Sequence, residues 1–228
     1  MCSSDLYGLA REHIPVLHTG VDSLVFYPRA TAKEGRPTII FVGRIHPDKG
    51  VDLLLEAACI LGEEYPDLRL RMLGRGDDEL VDELRTRAIA LGFPDLLDLA
   101  GFVDRCELPE YLSRSHVFAA PSLYEGGPGF VYLEAMACGL PVIACAGSGA
   151  AEIVEHGERG LLVSPGDMES LVQALRRLLS DAAAREAMGA RARDYVLAEA
   201  DSEVCLGRIE AFYRAVTAGR TEAAEVIA

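Results

Sequence analysis

The stretch Val117-Phe118-Ala119-Ala120-Pro121-Ser122-Leu123-Tyr124-Glu125-Gly126-Gly127-Pro128-Gly129-Phe130-Val131-Tyr132-Leu133-Glu134-Ala135-Met136-Ala137-Cys138-Gly139-Leu140-Pro141-Val142-Ile143-Ala144 holds one whole strand–loop–helix–strand unit. Val117–Ala120 and Pro141–Ala144 are short, nearly continuous apolar runs, as required of strands covered on both faces. Between them, three glycines and a proline predict a tight loop, and Phe130–Cys138 predicts a helix. Two such strands joined by a helix are parallel and linked by a right-handed crossover.

The same alternation extends outward in both directions. Further strands are expected at Ile14–His18, Thr38–Gly43, Leu68–Leu73, Leu96–Ala100 and Gly160–Val163. Further helices are expected at Val51–Glu64, Glu79–Leu91, Leu108–Arg114, Met168–Leu179, Ala182–Leu197 and Glu203–Ala218. Strand followed by helix, repeated about five times, predicts an α/β fold: a doubly wound parallel sheet with helices on both faces. From Met168 onward the pattern is purely helical. These extra C-terminal helices are expected to pack on the sheet, with the last one left to cover a neighbouring surface. No internal repeat or Pro-rich linker divides the chain, so one domain is expected.

Composition narrows the function. Of the 228 residues, 50% are apolar and 25% charged, which excludes a disordered tail and a disulfide-rich miniprotein. Lys plus Arg number 22 against 36 Asp plus Glu, and 22 − 36 gives −14. Such a surface repels nucleic acid and anionic membrane, so neither is an expected partner. A phosphate-bearing ligand must then be held by a local cluster that works against the global field. The six cysteines form no C-x-x-C pair, and the five histidines show no metal spacing, so no metal site is expected. The cysteines are expected to be reduced, in a cytoplasmic protein. No apolar run approaches the ~18 residues of an integral membrane segment, and the first residues lack a secretory pattern.

In a doubly wound sheet, ligands meet the loops that leave the carboxyl ends of the strands. The loop Val42-Gly43-Arg44-Ile45-His46-Pro47-Asp48-Lys49-Gly50 carries two cations at one mouth of the sheet. Gly43 admits a ligand to the backbone, and Arg44 with Lys49 suits a diphosphate; the alternative pairs Arg44 with a surface carboxylate. In Gly74-Arg75-Gly76 a dinucleotide fingerprint would need a third glycine where Glu79 stands, so a tight turn is expected instead. After Ala120, the bare amides of the helix starting near Phe130 offer an anion site, with Glu125 on the loop and Glu134 in the helix. Carboxylates beside an anion site suit a ligand that also brings hydroxyl donors. The alternative is a helix-stabilising Glu134 and a solvated Glu125.

These residues together resemble the C-terminal, donor-binding domain of the group-1 (family 4) GT-B glycosyltransferases. The resemblance runs from Gly20-Val21-Asp22 through Gly43-Arg44…Lys49-Gly50, Gly74-Arg75-Gly76, Gly101-Phe102-Val103 and Glu125…Glu134-Ala135-Met136-Ala137-Cys138-Gly139. It continues to Pro141-Val142-Ile143-Ala144, Gly149…Glu152, Gly160-Leu161-Leu162-Val163 and Pro165-Gly166-Asp167. It implies a Rossmann-like donor domain over residues 20–228, one half of a GT-B fold. Residues 1–19 would then be a remnant of an N-terminal domain or its linker.

The resemblance also implies roles. Arg44 and Lys49 would neutralise the donor's diphosphate, with Gly43, Gly126, Gly127, Gly129, Phe130 and Val131 close to it. Glu125 would hold hydroxyls of the transferred sugar and, with Arg44 and Lys49, form the catalytic set. Glu134 would hold the ribose, and Phe102 and Val103 would border the base. The implied activity is retaining transfer from a nucleotide-diphosphate sugar, with no bound cofactor or metal, to an acceptor held by an absent N-terminal domain. The chain alone is then expected to be inactive. A non-catalytic nucleotide-sugar-binding or regulatory module is the alternative. Two departures stand out. Glu125 and Glu134 have eight residues between them where the family has seven, and Thr19 replaces an asparagine.

Overall fold

A computed structural model describes residues 18–30, 33–124, 127 and 129–217. Six parallel strands form its sheet: β1 (Thr38–Val42), β2 (Arg69–Leu73), β3 (Leu97–Gly101), β4 (Val117–Ala120), β5 (Val142–Cys145) and β6 (Gly160–Val163). Their order across the sheet is β3-β2-β1-β4-β5-β6. β4 and β5 are buried along their whole length, as their unbroken apolar runs predict. The edge strand β3 is only half buried.

The crossovers are α1 (Val51–Gly62), α2 (Asp78–Ala90), α3 (Leu108–Arg114) and α4 (Phe130–Ala137). α1 packs against α2, whereas α3 packs against α4, consistent with connections running in opposite directions from the centre of the sheet. The helical tail comprises α5 (Met168–Ser180), α6 (Ala182–Tyr195), a π-helical turn (Val196–Ala200) and α7 (Ser202–Thr217). Asp167 and Asp181 start α5 and α6 by accepting hydrogen bonds from the amides of Ser170 and Ala184.

α5 packs on α1, and α6 bridges α4 and α5. α7 buries only Cys205 and Ala215, leaving Leu206, Tyr213 and Val216 exposed, which agrees with a last helix that does not pack on the sheet. The expected helix over 182–197 instead ends at Tyr195, where the wider π turn takes over. The strand expected at Ile14–His18 lies outside the described residues, except for His18, which has no regular structure. The five described cysteines are all free.

Because β1 leads away toward β2 while β4 leads toward β5, the loops after β1 and β4 part and leave a crevice between them. On the β1 side the strand-end loops are drawn together. The Gly43 amide donates to the Leu73 carbonyl at 3.0 Å, and the Gly74 amide to the Gly101 carbonyl at 2.8 Å. Gly74 has φ 146°, and any side chain there would run into the Gly43 carbonyl. In place of the tight turn expected at Gly74-Arg75-Gly76, the chain bends at Gly74 and stays extended to Gly76, which pairs with Ile45 in a parallel bridge, and Glu79 lies in the first turn of α2.

Candidate functional site: a cleft at the carboxyl edge of the sheet

The crevice is a cleft of about 600 Å³. One wall is the backbone of Val42, Gly43, Leu73 and Gly74, and the other is α4, through Phe130, Val131 and Glu134. Phe102, Val103, Arg105 and Leu108 form its far end. A second hollow continues past Phe130 to Lys49, Ala120, Ser122 and Gly129. The structure therefore brings together Gly43, Arg44, Phe102, Val103, Phe130, Val131 and Glu134, with Lys49 and Gly129 alongside. Gly127 lines neither hollow, and its carbonyl lies against Gly149 instead. Glu125 and Gly126 lie outside the described residues.

Each cation arrives by a local device. After β1 the chain makes a short 3-10 turn, Pro47–Lys49, begun by His46, whose ring Nδ1 lies 2.6 Å from Asp48 Oδ1. Gly50 closes that turn at φ 67°, and any side chain there would collide with the Pro121 carbonyl. The Leu123 amide donates to the Asp48 carbonyl at 3.0 Å, so the loops after β1 and β4 are tied together. Arg44 remains 62% exposed and donates to Asp48 Oδ2 at 2.9 Å. The alternative, in which Arg44 pairs with a surface carboxylate, is the arrangement present. Burial would raise the Asp48 carboxyl, but the His46 hydrogen bond and the charges of His46, Arg44 and Lys49 outweigh it and hold it below its ordinary value.

α4 begins at Gly129, whose φ of 69° is open to glycine and whose Cβ would stand 2.8 Å from the Tyr132 ring. Its first amides have no preceding helical carbonyl to donate to, and Gly129, Phe130 and Val131 line the hollow that holds Lys49. Tyr132 anchors the helix from beneath, donating to the Ala120 carbonyl at 2.6 Å and meeting Phe118 edge-on.

One turn further along α4, Glu134 is 3% exposed. Burial pushes its carboxyl up to about 6, against the pull of Arg105. Arg105 Nη2 stands 2.8 Å from Glu134 Oε1. The sequence reading did not single out Arg105 or Arg75 as site residues. Arg75 lies over the Phe102 ring, 4.7 Å from its centroid. Both follow a strand end, so the rule that ligands meet strand-end loops was the signal available for them. Three arginines thus line one cleft in a chain of net charge −14.

Residues 26–195 match the glycosyl transferases group 1. The GDP-mannose-dependent alpha-(1-6)-phosphatidylinositol monomannoside mannosyltransferase of Mycolicibacterium smegmatis is 34% identical over 203 residues, covering 82% of this chain and 52% of that protein. The C-terminal domain of a glycosyl transferase group 1 family protein (LpcC) from Francisella tularensis superposes with a TM-score of 0.74 at 29% identity, over 80% of this chain and 99% of that one. Anabaena Alr3699/HepE, in complex with UDP and glucose, shares the fold with a TM-score of 0.82 at 22% identity, over 94% of this chain and 59% of that one. The chain spans about half the length of the curated relatives it matches. With most of its length inside the family match, and with its cleft built from the residues that carried the resemblance, the chain belongs to the glycosyl transferases group 1.

Proposed function

We propose that this chain supplies the donor-binding half of a retaining glycosyltransferase that moves a sugar from a nucleoside-diphosphate sugar to an acceptor held by a second domain. The observation that carries the reading is the pairing, in one cleft, of cationic strand-end loops with a helix N-terminus and a buried carboxylate. The diphosphate lies between Arg44, Lys49 and the amides of Phe130 and Val131, with Gly43 letting it reach the backbone. Those same groups stabilise the charge that builds on the leaving diphosphate as the glycosidic bond breaks. Because they supply the positive charge themselves, binding is expected without an added divalent cation.

Glu134 accepts hydrogen bonds from the two ribose hydroxyls, and the base lies toward Phe102 and Val103. Glu125, carried over from the resemblance, holds hydroxyls of the transferred sugar. The GDP-mannose dependence of the mycobacterial relative and the UDP held by the Anabaena neighbour support a nucleoside-diphosphate donor and leave two bases to test. A cytoplasmic setting, where thiols stay reduced, fits the free cysteines.

The test is thermal unfolding of the chain with GDP, UDP, GDP-mannose and UDP-glucose, each with and without magnesium. A nucleotide at one hundred times its Kd stabilises the folded state by about 2.7 kcal/mol. A melt that no nucleotide raises, or that rises only with magnesium present, overturns the reading. Transfer by this chain alone to an added acceptor would overturn the assignment of the acceptor to a second domain.

A further inference from the structure

Glu134 presents a problem that the donor site alone does not solve. It is buried on a helix, Phe130–Ala137, whose other residues carry no charge. A carboxyl so placed tends to take up a proton, yet it accepts most strongly from two hydroxyls, with both oxygens, when it is ionised. The elements packed against α4 bring few charges that are not already engaged. Glu110 on α3 pairs with Arg114, Arg193 on α6 donates to the Ala137 carbonyl, and Glu199 in the π turn pairs with Arg208. Cys138, next along the chain, has its thiol pushed by burial up to about 12 and stays neutral.

We propose that Arg105 is the positioning residue that aims the Glu134 carboxylate at the ligand's ribose diol and supplies its counter-charge. This rests on the reading of Glu134 as the ribose-binding group. Arg105 comes from the loop between β3 and α3, the helix that packs against α4. Its guanidinium is steadied over the fully buried Phe26 ring, 5.1 Å from the centroid. From there Nη2 reaches Oε1 at 2.8 Å, and an ionised carboxylate, with about four lone-pair sites on its two oxygens, keeps capacity to accept from a ligand beside that contact. The Arg105 side chain is 65% exposed. It is therefore dispensable to the core and answerable to the ligand. Burial alone would carry the carboxyl further up, and Arg105 opposes that.

The experiment uses the whole chain with Arg105→Gln and Arg105→Lys. In ligand-free protein, carbon-detected NMR follows the Glu134 carboxyl. Arg105→Gln is expected to raise its midpoint by about one pH unit or more, and Arg105→Lys to leave it near wild type. A midpoint unmoved by Arg105→Gln overturns the proposal. Calorimetry then compares GDP and UDP with their 2′-deoxy counterparts between about pH 5.5 and 8.5. The preference for ribose is expected to fall about twofold near neutrality in Arg105→Gln and close to tenfold at the acid end, to return toward wild type at the alkaline end, and to survive in Arg105→Lys. A purely structural role would weaken both ligands equally at every pH, which also overturns it. A wild-type chain that binds ribose and 2′-deoxyribose nucleotides equally sinks the reading of Glu134 instead. A ribose preference unchanged in Arg105→Gln sinks only the role of Arg105.

Discussion

Two of the hollows lined by arginines and carboxylates are built on opposite principles. The first is the cleft at the carboxyl edge of the sheet. The second, of about 480 Å³, is lined by Glu34, Arg69, Arg71, Glu107, Glu110, Tyr111 and Arg114. There the charges answer one another. Arg71 donates to Asp98 at 2.8 Å and to Glu34 at 3.1 Å, Arg114 stands 3.5 Å from Glu34, and Arg71 lies over the Tyr111 ring. Although burial opposes it, the Arg71 hydrogen bond and the charges of Arg71, Arg114 and Arg69 hold the Glu34 carboxyl below its ordinary value. Glu134 in the cleft is shifted the other way, with a single arginine against it. A network that has satisfied itself belongs to the fold, and a carboxylate left short of partners belongs to a ligand.

The comparison can be broken most forcefully at Arg71, which is 8% exposed. Removing one member of a buried ion cluster leaves its partners uncompensated, at a cost of about 3 kcal/mol or more. Arg71→Ala is therefore expected to lower the denaturant midpoint of unfolding strongly while the surviving folded chain binds GDP or UDP with unchanged Kd. Arg105→Gln should do the reverse, sparing the midpoint and changing binding. If both variants moved the same observable, the two hollows would not differ in kind.

The two glutamates give the next largest effect, with opposite signs. Glu134 has a folded pKa raised from 4.5 to about 6. The folded state therefore holds the proton more tightly than the unfolded one, and this group adds stability as pH falls through about 6 toward 4.5. At about 1.36 kcal/mol per unit, the change is about 2 kcal/mol. Glu134→Gln should make the chain more stable than wild type at pH 7, with the gap closing by about pH 4.5. Glu34 has a depressed folded pKa, so its contribution is present at neutral pH and lost as pH falls through that folded value. Glu34→Gln should accordingly destabilise at pH 7 and do nothing in strong acid. Chemical denaturation of the three proteins across pH decides it, and parallel profiles for the two variants would defeat the contrast.

Much of this was legible in the chain itself, for physical reasons that also explain what was not. The runs Val117–Ala120 and Val142–Cys145 carry no charged or hydrogen-bonding polar side chain on either face, so burial on both faces is what their composition predicts. Gly43, Arg44, Lys49 and Glu134 could be found because a strand end, a loop and a helix start are local in sequence. The pairings that distinguish the two hollows are not local. Arg71 meets Asp98 and Glu34 across 27 and 37 residues, and Arg105 reaches Glu134 because the helix that follows it, α3, packs against α4. Arg69 and Arg71 even sit in a strand that reads as mostly apolar, facing the side that α3 leaves partly open. The π turn at Val196–Ala200 likewise has no pattern that separates it from α6 in the sequence.

The smallest effect separates two buried serines, one beside each hollow. Ser115, just after α3, is fully buried and donates to the Tyr111 carbonyl at 2.8 Å. Ser122, after β4, is 1% exposed, and its hydroxyl has no hydrogen-bond partner among the described residues although it lines the hollow shared by Lys49 and Gly129. A satisfied buried hydroxyl contributes about 1 kcal/mol, whereas an unsatisfied one costs free energy until something meets it. Ser115→Ala should thus lose about 1 kcal/mol of stability, and Ser122→Ala should be neutral or gain up to about as much. With a nucleoside diphosphate bound the order reverses: Ser122→Ala should weaken binding by a few-fold, the worth of one hydrogen bond, and Ser115→Ala should leave it alone. Paired unfolding curves and calorimetric titrations on the two variants are sufficient. A loss of stability in Ser122→Ala equal to that of Ser115→Ala would mean that the fold itself satisfies both hydroxyls, and the cleft would then hold one fewer group in reserve for a ligand.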